Sequence, residues 1–91
     1  MNDISSRALA FVMNEIREPL KLLGIDEATV SPDFELVSSG VLDSMRFLEL
    51  LGSLEKEFGF EIKLEEFDIE EVTVLKGLVR AVAASAHPDD E

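Results

Sequence analysis

Residues 40–59 read GVLDSMRFLELLGSLEKEFG and contain the clearest helical pattern of the chain. Asp43 and Ser44 are both good N-cap residues, and Gly59 supplies the left-handed conformation that commonly closes a helix. At about 100° per residue, the apolar side chains between them share one face and should form a core stripe: Phe47, Leu50, Leu51, Leu54 and Phe58. We therefore predict an amphipathic helix that begins at Asp43 or Ser44, ends at Phe58 and carries a serine at its start.

Other side chains of this helix lie beside or opposite the core stripe. Met45 and Leu48 are apolar although they lie off the stripe, acidic residues flank them, and Gly52 has no side chain that would block close approach. This arrangement suits the docking of a partner protein, and the predicted partner-binding face comprises Met45, Leu48, Glu49, Gly52 and Glu55. The alternative is that a loop folds over Met45 and Leu48. For either residue alone, the pattern does not decide between the two.

The N-terminal part of the chain predicts a first helix followed by a long loop. Ser5 or Ser6 can cap this helix, which should run to about Glu18 and be ended or kinked by Pro19. Apolar residues continue beyond the proline around Gly24 and could form a further helical turn. Residues 26–42 then form the loop. Its length is unusual for a passive connector, and long ordered loops often carry function. Four apolar residues should pin the loop across the core: Val30, Phe34, Leu36 and Val41.

The C-terminal part predicts an extended connector and two more helices. Residues 60–64 alternate between apolar and polar but have no evident partner strand, so they are assigned to the connector. Residues 65–69 predict one short helical turn with two apolar side chains inward, Phe67 and Ile69. Thr73 can cap a last helix over residues 74–86, whose apolar residues again recur at helical spacing.

These elements predict an all-α fold in one domain, residues 1–91. The expected architecture is a four-helix bundle of three longer helices and one short helix, with the long loop between the first two. Residues 87–91 should form a disordered polar tail. A chain of 91 residues is long enough for only one small core.

Composition excludes several classes of function. The chain contains no cysteine, which rules out a disulfide framework, a thiolate zinc site and a thiol nucleophile. Its N-terminus lacks the pattern of a signal peptide and no apolar run reaches membrane-spanning length, so we expect a cytoplasmic protein without membrane insertion. Twenty acidic against eight basic residues give a net charge of −12, which disfavours binding to nucleic acid. Basic protein surfaces are the expected partners, although an acidic excess can also serve only for solvation.

The residues that could carry catalysis or bind a metal are poorly placed for either. His87 is the only histidine, it lies in the predicted tail, and nothing marks a second base that would activate a serine hydroxyl. The acidic residues between 65 and 71 lack the glycine and the ligand spacing of a calcium loop. We therefore predict no catalytic residues and no metal site.

Most of the chain, residues 11–84, resembles acyl carrier proteins and peptidyl carrier domains. The resemblance is carried by Leu42-Asp43-Ser44-Met45, which is similar to the Asp-Ser-Leu or Asp-Ser-Met signature of that family. It continues in Leu-Glu-Leu at residues 48–50 and in Leu-Glu-Lys-Glu-Phe-Gly at residues 54–59. The signature follows a long loop and stands at the head of an acidic amphipathic helix, in a chain of the right size.

The resemblance implies a role for Ser44 and for its neighbour. Ser44 would receive 4′-phosphopantetheine from coenzyme A through a separate phosphopantetheinyl transferase, and the free thiol of that arm would hold cargo as a thioester. Asp43 would help to orient the transferase's magnesium and coenzyme A, in addition to capping the helix. Independently of the family, a helix start offers unpaired N–H groups that favour a phosphate.

The resemblance also implies how such a carrier would act. It would be a non-catalytic monomer that works with an acyl- or aminoacyl-activating ligase and with a downstream transferase or synthase. Arg46 stands where fatty-acid carriers commonly place an acidic residue, and Phe47 is bulkier than expected there. The Leu-Asp-Ser-Met form is closer to D-alanyl carriers, so an aminoacyl cargo is slightly favoured over a fatty acyl or malonyl one. The alternative function is an unmodified acidic helical adaptor that binds a partner protein through Met45 and Leu48.

Overall fold

The structure, a computed structural model, describes residues 3–86 and confirms the all-α fold. Its helices in chain order are α1 (Ile4–Leu23), α2 (Ser44–Phe58), α3 (Ile69–Val72) and α4 (Leu75–Ser85). Two short 3₁₀ turns lie between them, at Glu27–Thr29 and Leu64–Glu66. Three longer helices and one short helix are therefore present, as predicted, with the long loop between α1 and α2. The predicted tail, residues 87–91, lies outside the described residues.

Helix α1 begins earlier than predicted and continues without a break through Pro19 into the further turn that the sequence allowed. Asp3 is its N-cap, with a carboxylate that accepts the Ser5 N–H at 3.1 Å, so the assignment of Ser5 or Ser6 as the cap is wrong. Pro19 lies inside the helix and does not end it. The missing proline N–H removes one hydrogen bond, but Pro19 and the next residue are buried in the core. Gly24, at φ 74°, closes the helix one turn later.

Helix α2 follows the prediction. Asp43 is its N-cap and accepts the backbone N–H of Arg46 at 2.8 Å, and Gly59 ends it with φ 81°. The predicted stripe faces the core: Phe47, Leu50, Leu51 and Leu54 are buried and Phe58 is half-buried. The ring of Phe58 packs edge-on against Phe11 of α1, with 6.4 Å between ring centroids.

The loop between α1 and α2 is pinned across the core, as predicted. Leu36 and Val41 are buried, while Val30 and Phe34 are half-buried. Backbone hydrogen bonds tie the same segment to the junction of α3 and α4. The Leu36 N–H donates to the Thr73 carbonyl at 2.8 Å, and the Leu75 N–H donates to the Phe34 carbonyl at 2.9 Å. The loop is therefore a packed part of the structure.

These bonds explain why Thr73 does not cap α4, contrary to the prediction. The Thr73 hydroxyl donates instead to the Ile69 carbonyl at 3.0 Å, within α3. Helix α4 begins at Leu75 without a side-chain cap. Its first N–H groups are satisfied by loop carbonyls, since Leu75 donates to Phe34 and Lys76 donates to Pro32, both at 2.9 Å. The backbone of the loop thus replaces a side-chain cap at the start of α4.

The short helix also differs from the prediction. The expected turn is divided into the 3₁₀ turn at Leu64–Glu66 and α3, which Asp68 caps by accepting the Glu70 N–H at 3.1 Å. Because α3 begins at Ile69, the residue three positions later, Val72, faces the core. Ile69 itself is 58% exposed, so its predicted inward orientation is wrong.

Helices α3 and α4 approach each other closely at Gly77. A Cβ atom built on Gly77 would overlap the backbone carbonyl of Glu71 in α3. Glycine inside a helix costs about 1 kcal/mol relative to alanine. Gly77 therefore lowers the intrinsic stability of α4 but allows its backbone to contact that of α3.

Replacement of Gly77 by alanine should lower the free energy of unfolding by about 1–3 kcal/mol, because the new methyl group must displace α3. The measurement is a urea titration followed by circular dichroism. Gly52→Ala in α2 is the matched control: its Cβ meets open space, so the variant should gain up to about 1 kcal/mol. Equal unfolding midpoints for the two variants would contradict the contact.

Candidate functional site

Ser44 is the first residue of α2 and is exposed to solvent. The chain just before it is firmly placed, since the side chains of Val41 and Leu42 are both 5% exposed. The Leu42 N–H donates to the Leu36 carbonyl at 3.0 Å, which links this point to the pinned loop. The serine hydroxyl therefore lies on the surface, and the chain that leads to it is held in place by buried residues.

The start of α2 suits a negatively charged group. The Asp43 carboxylate accepts the Arg46 N–H at 2.8 Å. The N–H groups of Ser44 and Met45 lie in the first turn and therefore have no acceptor within the helix. These N–H groups and the helix dipole favour an anion at this end. An ester-linked phosphate on the exposed hydroxyl fits this geometry without displacing any buried side chain.

Catalytic chemistry by Ser44 itself has no support in the described residues. Within residues 3–86, no hydrogen bond joins the Ser44 hydroxyl to a side chain that could act as a base. In the same part of the chain, no three histidine, cysteine or carboxylate side chains are grouped so as to hold a metal ion. His87 lies outside the described residues. None of the helices described is both long and apolar enough to cross a membrane.

Most of the predicted partner-binding face is open to solvent. Met45 is 68% exposed and Leu48 is 58% exposed, so the loop does not cover them. Glu49 and Gly52 are exposed as well. Helix α2 therefore presents these residues together on its outer surface, and whether they contact a partner stays a prediction.

Glu55 differs from the rest of that face. It is half-buried, and its carboxylate accepts the Ile62 N–H at 2.8 Å. This bond holds the extended connector that follows α2 against the helix and brings the buried Ile62 side chain into the core. Glu55 thus has a structural role that the helical pattern alone did not indicate.

Sequence reasoning missed four exposed large apolar side chains, one of which is Leu9 in the first half of α1. Ile69 lies at the start of α3, and Leu22 and Leu23 lie in the last turn of α1, where they are 81% and 50% exposed. A signal was available for Leu22, which lies beside the face formed by the buried residues of α1. Leu23 continues that face by its spacing, so its exposure at the end of the helix was not indicated by the pattern.

Comparison with known proteins shows the family to which the chain is related. Residues 20–82 match the family model described as the phosphopantetheine attachment site, a span that contains Asp43 and Ser44. The chain belongs to this family of carrier proteins. The match indicates a covalently attached phosphopantetheine prosthetic group. The resemblance to acyl and peptidyl carriers is confirmed.

Individual relatives carry two kinds of name. The D-alanyl carrier protein of Enterococcus faecalis is 30% identical over 69% of this chain and 81% of the relative. The acyl carrier protein AcpXL of Rhizobium etli is 35% identical over 59% of this chain and 68% of the relative. The D-alanyl carrier protein of Bacillus velezensis is 39% identical over 50% of this chain and 59% of the relative. No solved structure matches the chain significantly. Proteins of this family are generally non-catalytic and work with transferases and ligases.

Replacement of Glu55 by alanine should destabilise the protein by about 1 kcal/mol, because the half-buried Ile62 N–H loses its acceptor. Glu55→Gln keeps a side-chain oxygen and should retain most of the stability. Glu49→Ala, at an exposed position of the same helix, should change it by less than about 0.5 kcal/mol. Urea unfolding of the three variants measures the difference, and similar losses for Glu49→Ala and Glu55→Ala would argue against the structural role.

Proposed function

We propose that the chain is a carrier that holds an activated carboxylic acid as a thioester on a 4′-phosphopantetheine arm attached to Ser44. The observation that carries the proposal is the exposed hydroxyl of Ser44 at the capped start of α2, inside the span that matches the family. The arm supplies the thiol that this cysteine-free chain lacks. The chain itself performs no catalysis.

The loading step needs a separate enzyme, a phosphopantetheinyl transferase. The Ser44 oxygen attacks the phosphorus of coenzyme A that bears the pantetheine, the bond to the bridging pyrophosphate oxygen breaks, and adenosine 3′,5′-bisphosphate leaves. The hydroxyl proton passes to a base of the transferase. Asp43 assists by orienting the magnesium and coenzyme A of the transferase. Its cap bond uses the oxygen Oδ1, which leaves the second carboxylate oxygen available for that role.

The outer surface of α2 is the proposed docking face for partner enzymes. Met45 and Leu48 supply apolar contact, Glu49 supplies charge, and Gly52 permits close approach. Besides the transferase, the partners are an acyl- or aminoacyl-activating ligase and a downstream transferase or synthase. Successive handovers need small, weak interfaces, in which charge speeds encounter more than it adds affinity. Because coenzyme A is the donor, we place the monomeric carrier in the cytoplasm.

An aminoacyl cargo is slightly favoured over a fatty acyl or malonyl cargo. The Leu-Asp-Ser-Met form at residues 42–45 supports it, as do the relatives named D-alanyl carrier proteins. Relatives named acyl carrier proteins support a fatty acyl or malonyl cargo almost as well. The exposed Met45 and Leu48 also suit an unmodified adaptor, which is the second candidate function.

Ser44→Ala should leave the fold intact and abolish modification. Incubated with coenzyme A and a broad-specificity phosphopantetheinyl transferase, the wild type should gain the mass of one phosphopantetheine group and the variant should gain none. Ser38→Ala, at another exposed loop serine, is the control and should be modified like the wild type. An unmodified wild type, or a modified Ser44→Ala variant, would contradict the proposal.

Intact mass spectrometry of the protein from its native host should show the arm and its cargo. Hydroxylamine cleaves thioesters, so treatment should remove the cargo mass and release the hydroxamate of an amino acid. A fatty acyl or malonyl hydroxamate would assign the other class of cargo. A protein without any added mass would favour the adaptor.

A further inference from the structure

An open groove lies between the last turn of α1 and the start of α2. Leu22 and Leu23 are 81% and 50% exposed beside it, although Leu20 of the same turn is buried. The groove has a volume of about 350 Å³, and its lining includes Pro19, Leu22, Leu23, Val41, Asp43 and Arg46. This volume lies near the lower end of the range for small-molecule sites.

The lining places an apolar wall next to polar groups. Pro19, Leu22, Leu23 and Val41 supply the wall, while Glu18, Asp43 and Arg46 supply charge. Asp43 and Arg46 stand on either side of Ser44 in the first turn of α2 and both line the groove. The groove therefore opens beside the proposed attachment point.

We propose that this groove is the resting site of the chain's own phosphopantetheine arm. The inference rests on the proposed attachment at Ser44. The arm carries a geminal dimethyl group, a hydroxyl, two amides and a phosphodiester. The dimethyl group matches the exposed leucines, and the N–H donors of Arg46 match the phosphodiester and amide oxygens. The Glu18 carboxylate can accept from an amide N–H.

Covalent attachment explains why so open a groove is sufficient. A tethered group experiences an effective concentration in the millimolar range or above, so weak complementarity is enough to hold it part of the time. A free ligand would gain little from two exposed leucines and one arginine. Weak holding also suits a carrier, because partner enzymes must be able to take the arm away.

The test compares the apo and modified proteins by methyl NMR. In the modified wild type, nuclear Overhauser contacts should join the arm's geminal methyl groups to the methyl groups of Leu22 and Leu23, and Val41 should shift. The double variant Leu22→Ser with Leu23→Ser should still be modified but should lose these contacts. Leu9→Ser, at a 42% exposed position in the first half of α1, is the matched control and should keep them.

Mass spectrometry of the same samples separates two kinds of failure. A wild type that gains no mass overturns the attachment at Ser44 and the resting site together. A wild type that gains the mass but shows contacts only to Met45, Leu48 or Ile69, or to no methyl group beyond those next to Ser44, overturns the resting site alone. Persistence of the contacts in the double variant does the same.

Discussion

The packing of the four helices depends on the backbone hydrogen bonds that join the loop between α1 and α2 to the junction of α3 and α4. Leu36 donates to Thr73 and Leu75 donates to Phe34, around a Leu36 side chain that is fully buried. Ordering a loop of this length costs conformational entropy, and here the ordered loop also satisfies the first N–H groups of α4. The bond from Leu42 to Leu36 carries the same constraint to the start of α2. The position of Ser44 is thus set by contacts across the whole bundle.

Elements whose signals are local were predictable from the sequence. Helix α2 has its cap, its apolar period and its stop within residues 43–59, and the structure reproduces all three. The termini of the other helices depend on distant partners. The helix continues through Pro19 because Pro19 and Leu20 are buried in the core and Gly24 closes the helix. Helix α4 needs no threonine cap because loop carbonyls accept its first N–H groups. A shift in the start of α3 was enough to turn Ile69 outward.

The candidate site was predictable to a different degree. The exposure of Ser44, Met45 and Leu48 agrees with their assignment from the pattern, because each lies on the outer surface of the best-defined helix. The proposed role of Ser44 as an attachment point comes from the family resemblance, since a capping serine by itself is common. The bond between Glu55 and Ile62 was not predictable, because it joins a helix to a connector whose path no local pattern specifies.

The close approach at Gly77 governs how the bundle can move. Helix α3 packs on α4 much more than on α2, and at Gly77 only a hydrogen atom separates the two backbones. We therefore expect these two helices to move together as one rigid body.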